Sequence, residues 1–244
     1  MQPRTKPHQV LRNRNLASPA VHSAEGRVGR PPRGKTLLSG ARIIKTALSI
    51  VDEAGVDALS MRSLAARLSV TAMSLYRYCD SHDVLLDTIH DEIIAQHLPH
   101  PVTKEQSYRE VLTEMAKALR RAIKAHPNAA ILFATRPVRG SRSAAHLDAM
   151  IGRLLAAGFE LSIAVYLIDA VSAFTIGLCL SEFARTPRAV GAPMAPSSPA
   201  ADGDLLHLQR LAQLETKHDY ETEFVVGLLA MIDGFGARYA KRTK

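Results

Sequence analysis

The stretch that decides the fold, residues 60–82, reads SMRSLAARLSVTAMSLYRYCDSH. Ser60 is suited to cap a short helix, because its hydroxyl can accept from the free N–H groups of the first turn. Apolar residues then follow at helical spacing, namely Met61, Leu64, Ala65 and Leu68. The pattern breaks at Ser69-Val70, after which Thr71 is suited to cap a second short helix. Two short helices joined by a tight turn predict a helix-turn-helix, in which the second helix enters the major groove of DNA.

The second predicted helix turns Leu75 toward the first and leaves small, aromatic and basic side chains facing outward. Apolar groups at its start suit thymine methyl groups, whereas hydroxyl and basic groups suit phosphate. Four residues have two interpretations: Arg62 fits a guanine edge or a phosphate, Met73 fits DNA or the small core, and Tyr76 fits phosphate or burial. Arg77 fits a base or a phosphate, and phosphate is preferred because Arg77 lies farther along the helix. The predicted DNA contacts are Arg30, Arg62, Thr71, Ala72, Met73, Ser74, Tyr76, Arg77, Tyr78 and His82.

Helical periodicity continues on both sides of this stretch and predicts an all-α protein. A helix from about Ser39 to Ala54, closed by Gly55, completes a three-helix DNA-binding domain over residues 37–82. Asp80-Ser81 is suited to cap the helix that follows. A larger helical domain for ligand binding and dimerisation is expected over residues 83–244. Its predicted elements are helices at 108–126, 144–157, 160–185 and 220–239, a short apolar turn at 129–134 and a long mobile loop at 186–204.

Two of these helices carry more apolar surface than one partner can cover. Residues 160–185 are apolar nearly all round, and the last helix carries a strong apolar stripe. Both helices fit either the core of one chain or a contact with a second copy. Because a single helix-turn-helix buries little DNA surface and symmetric pairing doubles it, a homodimer is the favoured interpretation.

The net charge of +8 is concentrated at the N-terminus. Residues 1–45 contain ten Lys or Arg and one acid, Glu25, whereas the remaining residues contain 21 bases and 22 acids. Residues 1–36 are rich in Pro and lack apolar periodicity, which predicts a disordered basic arm. Within the arm, residues 27–34 (RVGRPPRG) are similar to an AT-hook, a segment that lays Arg into the minor groove, and the alternative is a solvated tail.

Residues 29–36, GRPPRGKT, formally fit a phosphate-binding loop, so a nucleotide-binding enzyme is an alternative function. That loop follows a buried strand, but residues 21–28 are largely polar. Pro31 and Pro32 also remove two backbone N–H donors. A helical protein-interaction scaffold is the other alternative. The favoured interpretation is a protein that is not an enzyme and uses no cofactor.

The remaining signals concern location and metals. Cys79 and Cys179 have no redox or metal spacing, and the histidines match no structural zinc motif, so a reduced cytoplasmic setting without a metal site is expected. Residues 161–184 form the most apolar stretch, but Asp169 and Glu182 leave too short a charge-free run to cross a bilayer. A soluble protein with no membrane partner is therefore predicted.

Several motifs in the N-terminal half also carry a family resemblance. They include an Arg early in the second helix, a Leu-Tyr pair in the third and an aromatic residue two positions later, and they fall in residues 44–55, 59–70, 74–78 and at Leu85-Leu86. Through them, residues 39–85 resemble the tetracycline-repressor (TetR) family of bacterial transcription regulators. The chain departs from that family at Ser69, where Gly is usual, and at His82, where a Lys usually reaches a phosphate.

The rest of the chain resembles the tetracycline repressors more loosely, through residues 135–137, 157–159, 173–177 and 224–228. The resemblance implies that Thr135 to Pro137 border a ligand cavity and that the fourth helix also lies beside it. The implied ligand contacts are His97, Leu132, Thr135, Arg136, Pro137 and Phe174. The family's magnesium-holding His corresponds to Leu132 and its acidic partner to Ser181, so magnesium–tetracycline is not the expected ligand.

These observations together predict a homodimeric repressor that binds a palindromic operator in double-stranded DNA. A small, apolar effector that enters the helical body is expected to release it.

Overall fold

The computed structural model describes residues 38–98, 101–136, 138–183, 207 and 219–240. These residues form α-helices joined by turns, with no β-strand among them, which confirms the predicted all-α fold. The predicted basic arm and the predicted loop at 186–204 lie outside the described residues. In chain order the helices are α1 (Gly40–Ala54), α2 (Met61–Leu68), α3 (Ala72–Leu75), α4 (His82–His97), α5 (Tyr108–Ala125), α6 (Ala130–Thr135), α7 (Ser141–Ala156), α8 (Leu161–Phe183) and α9 (Tyr220–Tyr239).

Hydroxyl side chains begin the short N-terminal helices, as the sequence predicts. The backbone N–H of Ser63 donates to Ser60 Oγ at 3.0 Å, and the backbone N–H of Ser60 donates to Ser63 Oγ at 2.8 Å, which forms a capping box on α2. Thr71 and Ser81 cap α3 and α4 through their hydroxyl oxygens. The starts of these helices are therefore fixed by local hydrogen bonds.

One apolar core runs from the N-terminal helices into the body. Buried residues of α1 to α4 share this core with the end of α5, with α6 and with Cys179 of α8. The predicted division at residue 82 therefore crosses continuous packing. The fully buried residues include Ile43, Leu64, Leu75, Leu85, Ile89 and Ile93.

A second apolar core lies between α5, α7, α8 and α9. By length and composition alone, α8 is long and apolar enough to cross a membrane. About a third of its most apolar part is buried in the fold. Asp169 and Glu182 therefore do not exclude a span by themselves, contrary to the sequence-based expectation. In the fold, α8 packs against α5, α6, α7 and α9.

Helix α7 begins at Ser141, one turn before the predicted start at residue 144. Gly140 precedes it and supplies no side-chain cap, so the sequence carries no start signal there. The start is held by α4, because the Asp91 carboxylate accepts from the backbone N–H of Arg139 at 2.9 Å. This early start places Ser143 inside the first turn of α7, where it is buried.

Candidate functional site

The turn between α2 and α3 depends on one residue in an unusual conformation. Ser69 has φ +57° and ψ +43°, the left-handed region that favours Gly. The backbone N–H of Val70 donates to the carbonyl of Ala65 at 3.0 Å, and that of Ser69 donates to the carbonyl of Ala66 at 3.1 Å. The turn thus keeps the geometry that Gly would provide, although the side chain there is Ser.

Helix α3 divides its side chains between the core and the surface. Leu75 is fully buried, whereas Met73 is 76% exposed and Tyr76 is 46% exposed. The alternatives that Met73 fills the small core and that Tyr76 is buried therefore do not hold. Arg62 on α2 and Arg77 after α3 are also exposed, and neither forms an ion pair with any described residue. Thr71 is exposed, and Ala72 and Ser74 are partly exposed on the same short segment.

Two predicted phosphate contacts use their polar atoms within the protein. Tyr78 donates its hydroxyl hydrogen to the carbonyl of Leu38 at 2.9 Å. His82 donates through Nε2 to the carbonyl of Leu59 at 2.8 Å, since a carbonyl can only accept. A phosphate contact would have to replace these bonds or use the other ring nitrogen of His82. Arg30 lies outside the described residues.

A cavity of about 240 Å³ lies in the body between α4, α5, α7 and α8. Most of its wall is apolar, and its polar members are His97, Ser143, His146, Asp169 and Ser172. The apolar lining residues are Ile94, Leu98, Met115, Ala118, Leu119, Ala122, Val138, Leu147, Met150 and Ile168. The wall therefore suits a small, largely apolar molecule.

The structure brings one of the predicted ligand contacts, His97, to this wall. Leu132 is buried in the N-terminal core, and Phe174 stacks on Phe224 with ring centroids 6.3 Å apart. Thr135 lies on the surface, where its hydroxyl donates to the carbonyl of Ile131. Pro137 lies outside the described residues. Thr135 and Arg136 are thus not among the described residues that line this cavity.

Arg136 ties the end of α6 to α4 and does not face the cavity. Its guanidinium donates to Asp83 at 2.8 Å and to Asp87 at 3.2 Å. The hydrogen bond from Arg136 holds the pKa of the Asp83 carboxyl below its ordinary value. Arg139 adds an ion pair with Asp87 at 3.6 Å. Arg136 and Arg139 therefore tie the end of α6 and the start of α7 to α4, the helix that follows α3.

Sequence reasoning missed Ser143, His146 and Asp169 as cavity residues. Ser143 and His146 are three residues apart in α7, so they share one helix face. Their spacing was visible, but the helix was predicted to begin after Ser143. Asp169 is an acidic residue in an otherwise largely apolar helix, and such a residue is a sequence signal for a functional position.

A short chain of contacts joins the cavity to α1. The ring of His97 meets the ring of His126 edge to face, with centroids 6.0 Å apart. His126 Nδ1 lies 2.9 Å from the carboxylate of Asp52 on α1. Asn128 donates to the backbone carbonyl of the same Asp52 at 2.6 Å. One side chain, His126, therefore lies between the His97 ring and Asp52 of α1.

Comparison with known proteins assigns both halves of the chain to one group. Residues 43–89 match the family of bacterial regulatory proteins of the tetR type, and residues 100–239 match the tetracyclin repressor-like C-terminal domain. An HTH-type transcriptional regulator of Saccharopolyspora erythraea is 33% identical over 199 residues, which cover 74% of this chain and 84% of the relative. The Escherichia coli tetracycline repressor of class D is 30% identical over 201 residues, covering 81% of this chain and 89% of that repressor.

A solved structure shares both the fold and part of the sequence. The TetR family protein ActR of Streptomyces coelicolor, crystallised with actinorhodin, superposes with a TM-score of 0.70 at 30% identity. The superposition covers 83% of this chain and 98% of ActR.

Proposed function

The chain belongs to the TetR family of bacterial transcription regulators, and from that premise we propose that it represses transcription as a homodimer on a palindromic operator until a small molecule enters the body cavity. The observation that carries the proposal is the exposed surface of α2 and α3. Met73 and Tyr76 are exposed beside Arg62, which forms no ion pair with any described residue, and this pattern fits a surface that a partner covers. DNA fits this surface, because apolar groups meet thymine methyls and Arg meets guanine or phosphate.

Pairing of two chains would supply the second recognition helix. Helices α8 and α9 expose apolar side chains, of which Tyr166 and Val226 are both 61% exposed. Burial of such groups against a second copy is favourable by roughly 25 cal/mol per Å² of apolar surface. In the dimer the two α3 helices would lie about one DNA turn apart, the spacing that a palindromic operator requires.

Release would follow from the contacts between the cavity and the N-terminal helices. A ligand can shift the protein toward a non-binding state only if it binds that state more tightly. A molecule that contacts His97 would bind more tightly to a state in which the His97 ring has moved. His126 and Asp52 would move with that ring, because His126 contacts the ring and Asp52 contacts His126. A second route would begin at Val138, which lines the cavity two residues after Arg136, and would pass through the Arg136–Asp83 hydrogen bond to the start of α4.

The effector we propose is not magnesium–tetracycline. Leu132 occupies the position of the family's metal-holding His, and it is an apolar side chain that is only 1% exposed. ActR has been crystallised with actinorhodin, so a fold of this kind accommodates other small molecules. Since the relatives compared above are regulators that act on DNA, we place this protein in the cytoplasm and assign it no catalytic activity.

A gel-shift experiment with the DNA upstream of the protein's own gene tests DNA binding. Arg62→Ala should weaken binding about 5- to 150-fold, which corresponds to the ~1–3 kcal/mol of a base contact. Lys124→Ala is the matched control, because it removes the same charge from an exposed site on α5. The proposal fails if the intact protein leaves this DNA unbound at low salt, or if both variants weaken binding equally.

Light scattering after size exclusion tests the dimer. The wild-type mass should be twice the 26.5 kDa of one chain. Val226→Glu places a charge on the proposed contact and should return the mass to that of one chain. A wild-type protein that elutes as a monomer at micromolar concentration would contradict the homodimer.

A further inference from the structure

The cavity contains two buried polar atoms whose hydrogen-bonding needs the protein does not meet. Ser143 Oγ and His146 Nε2 have no hydrogen-bond partner among the described residues, although each is shielded from solvent. Ser143 is only 5% exposed. An unmet polar atom in a buried site destabilises the free protein, so such atoms mark a place where a partner belongs.

The two atoms lie on one wall. Ser143 and His146 are one turn apart in α7, and side chains at this spacing have Cβ atoms about 5–6 Å apart. Both residues line the cavity. A single ligand oxygen between them can therefore contact both.

The charges around the cavity select against an anion. Among the described residues, its lining contains neither Lys nor Arg, and the one charged side chain is the carboxylate of Asp169. Burial lowers the pKa of His146, so its imidazole is neutral at physiological pH and provides no positive charge. His97 donates through Nδ1 to the carbonyl of Ile93 at 2.9 Å, so the other nitrogen of a neutral ring can only accept. The polar wall therefore offers acceptors in excess and favours a ligand that donates.

We infer that the cavity binds a mainly apolar molecule that carries a hydroxyl group and no acidic group, held between Ser143 and His146; this rests on the proposed function in that the cavity is taken as the effector site. A hydroxyl both donates and accepts, so it satisfies both side chains whichever tautomer His146 adopts. A carboxylate or phosphate would lose its hydration without gaining a counter-charge.

A neighbouring pocket offers the competing location for a polar group. It shares Leu98 and His146 with the cavity but also contains the exposed side chains of Arg121 and Arg142. A ligand whose acidic end crossed beside His146 would bind these two guanidinium groups. Replacement of Arg142 should weaken the binding of such an acidic ligand but leave the binding of a ligand held by Ser143 and His146 unchanged.

Binding of three probes of one shape tests the inference. Equilibrium dialysis of the full-length protein at pH 7 measures the affinities for 2-naphthol, naphthalene and 2-naphthoate. The fluorescence of each ligand gives its concentration on the two sides of the membrane. We expect 2-naphthol to bind about fivefold to tenfold more tightly than naphthalene, the equivalent of one or two neutral hydrogen bonds, and 2-naphthoate to bind most weakly.

Variants assign this preference to the two side chains. Ser143→Ala and His146→Phe should each lower the affinity for 2-naphthol about fivefold and leave naphthalene within twofold. Arg142→Gln, beside Ser143 but directed to the other pocket, should change neither affinity.

Three results would overturn the inference: no binding of any probe, 2-naphthoate binding as well as 2-naphthol, or a loss in Arg142→Gln that matches the loss in His146→Phe. None of these depends on DNA. A protein that shifts its upstream DNA but binds no probe would contradict only the ligand class, whereas one that binds 2-naphthol but no DNA would contradict only the proposed repressor.

Discussion

The DNA-binding surface and the body cavity place their unpaired polar groups in opposite environments. Arg62 and Tyr76 are exposed to water before any partner arrives. Ser143 Oγ and His146 Nε2 are already shielded from water and have no partner within the described residues. The first pair must lose hydration on binding DNA, whereas the second has lost it during folding.

This difference determines how stability and binding are related in each region. The exposed side chains of Arg62 and Met73 can be shortened at little cost to the folded state, because they contact little of it. In the cavity, the unmet polar atoms of Ser143 and His146 destabilise the free protein and stabilise its complex with the ligand. Substitutions of the exposed DNA-binding side chains should therefore weaken DNA binding and leave stability nearly unchanged. Substitutions of the unmet cavity groups should weaken ligand binding and increase stability.

The largest expected effect concerns the two faces of α3. Leu75→Ala removes a fully buried side chain and should lower the free energy of unfolding by roughly 2–5 kcal/mol. Met73→Ala, two residues away and 76% exposed, should change it by less than ~0.5 kcal/mol while still weakening DNA binding. Urea unfolding followed by circular dichroism measures the first quantity, and a gel shift measures the second. A large loss of stability in Met73→Ala would erase the distinction.

In the cavity, Ser143→Ala should increase the free energy of unfolding by about 1 kcal/mol, because it removes an unmet hydroxyl. Ser172→Ala is the control: Ser172 also lines the cavity from a helix, but its hydroxyl donates to the carbonyl of Ile168 at 2.8 Å. Both changes gain helix propensity, so thermal unfolding of the two variants isolates the unmet hydroxyl. Equal melting temperatures would indicate that Ser143 already has a partner in the free protein.

A smaller effect is expected in the turn of the DNA-binding segment. Ser69→Gly relieves a left-handed conformation that costs an L-residue roughly 1–2 kcal/mol, but Gly also gains freedom in the unfolded chain. We expect a net increase in stability below ~1 kcal/mol and unchanged DNA affinity. The same urea experiment checks the first, and a loss of stability would mean that the Ser69 side chain makes a contact worth more than the strain.

The smallest effect is expected at the hydrogen bond between Arg136 and Asp83, which joins the end of α6 to the start of α4. Since Arg136 lowers the pKa of Asp83, that carboxyl stabilises the fold at pH above its ordinary pKa, and the contribution is lost as the pH falls through the lowered value. Arg136→Gln should raise the pKa of Asp83 toward its ordinary value, as measured by carboxyl NMR during an acid titration. Arg139→Gln should leave it unchanged, because Arg139 pairs with Asp87. An unshifted Asp83 in Arg136→Gln would show that the hydrogen bond does not persist in solution.

The sequence predicted the N-terminal segment well because its signals are local. Ser60, Thr71 and Ser81 cap helices whose partners lie within three residues, and the spacing of Leu64, Leu68 and Leu75 defines the core side. The cavity could not be read in this way. It is assembled from four helices that lie far apart in sequence, and α7 has no side-chain cap to mark its start. Resemblance pointed to residues 135–137, yet Arg136 serves there as a clamp to α4.

The pair formed by His126 and Asp52 also matters for the exchange of parts between regulators. A hybrid protein made by joining the first 82 residues of a relative to this body would replace α1, and with it the carboxylate that His126 contacts, whereas Asn128 contacts a backbone carbonyl that any residue supplies. Its DNA specificity would come from the new segment, but its response to the effector would depend on whether the graft carries an Asp at the position of Asp52. Residue 52 is therefore a compatibility position, to be transplanted with the body and not with the DNA-binding segment.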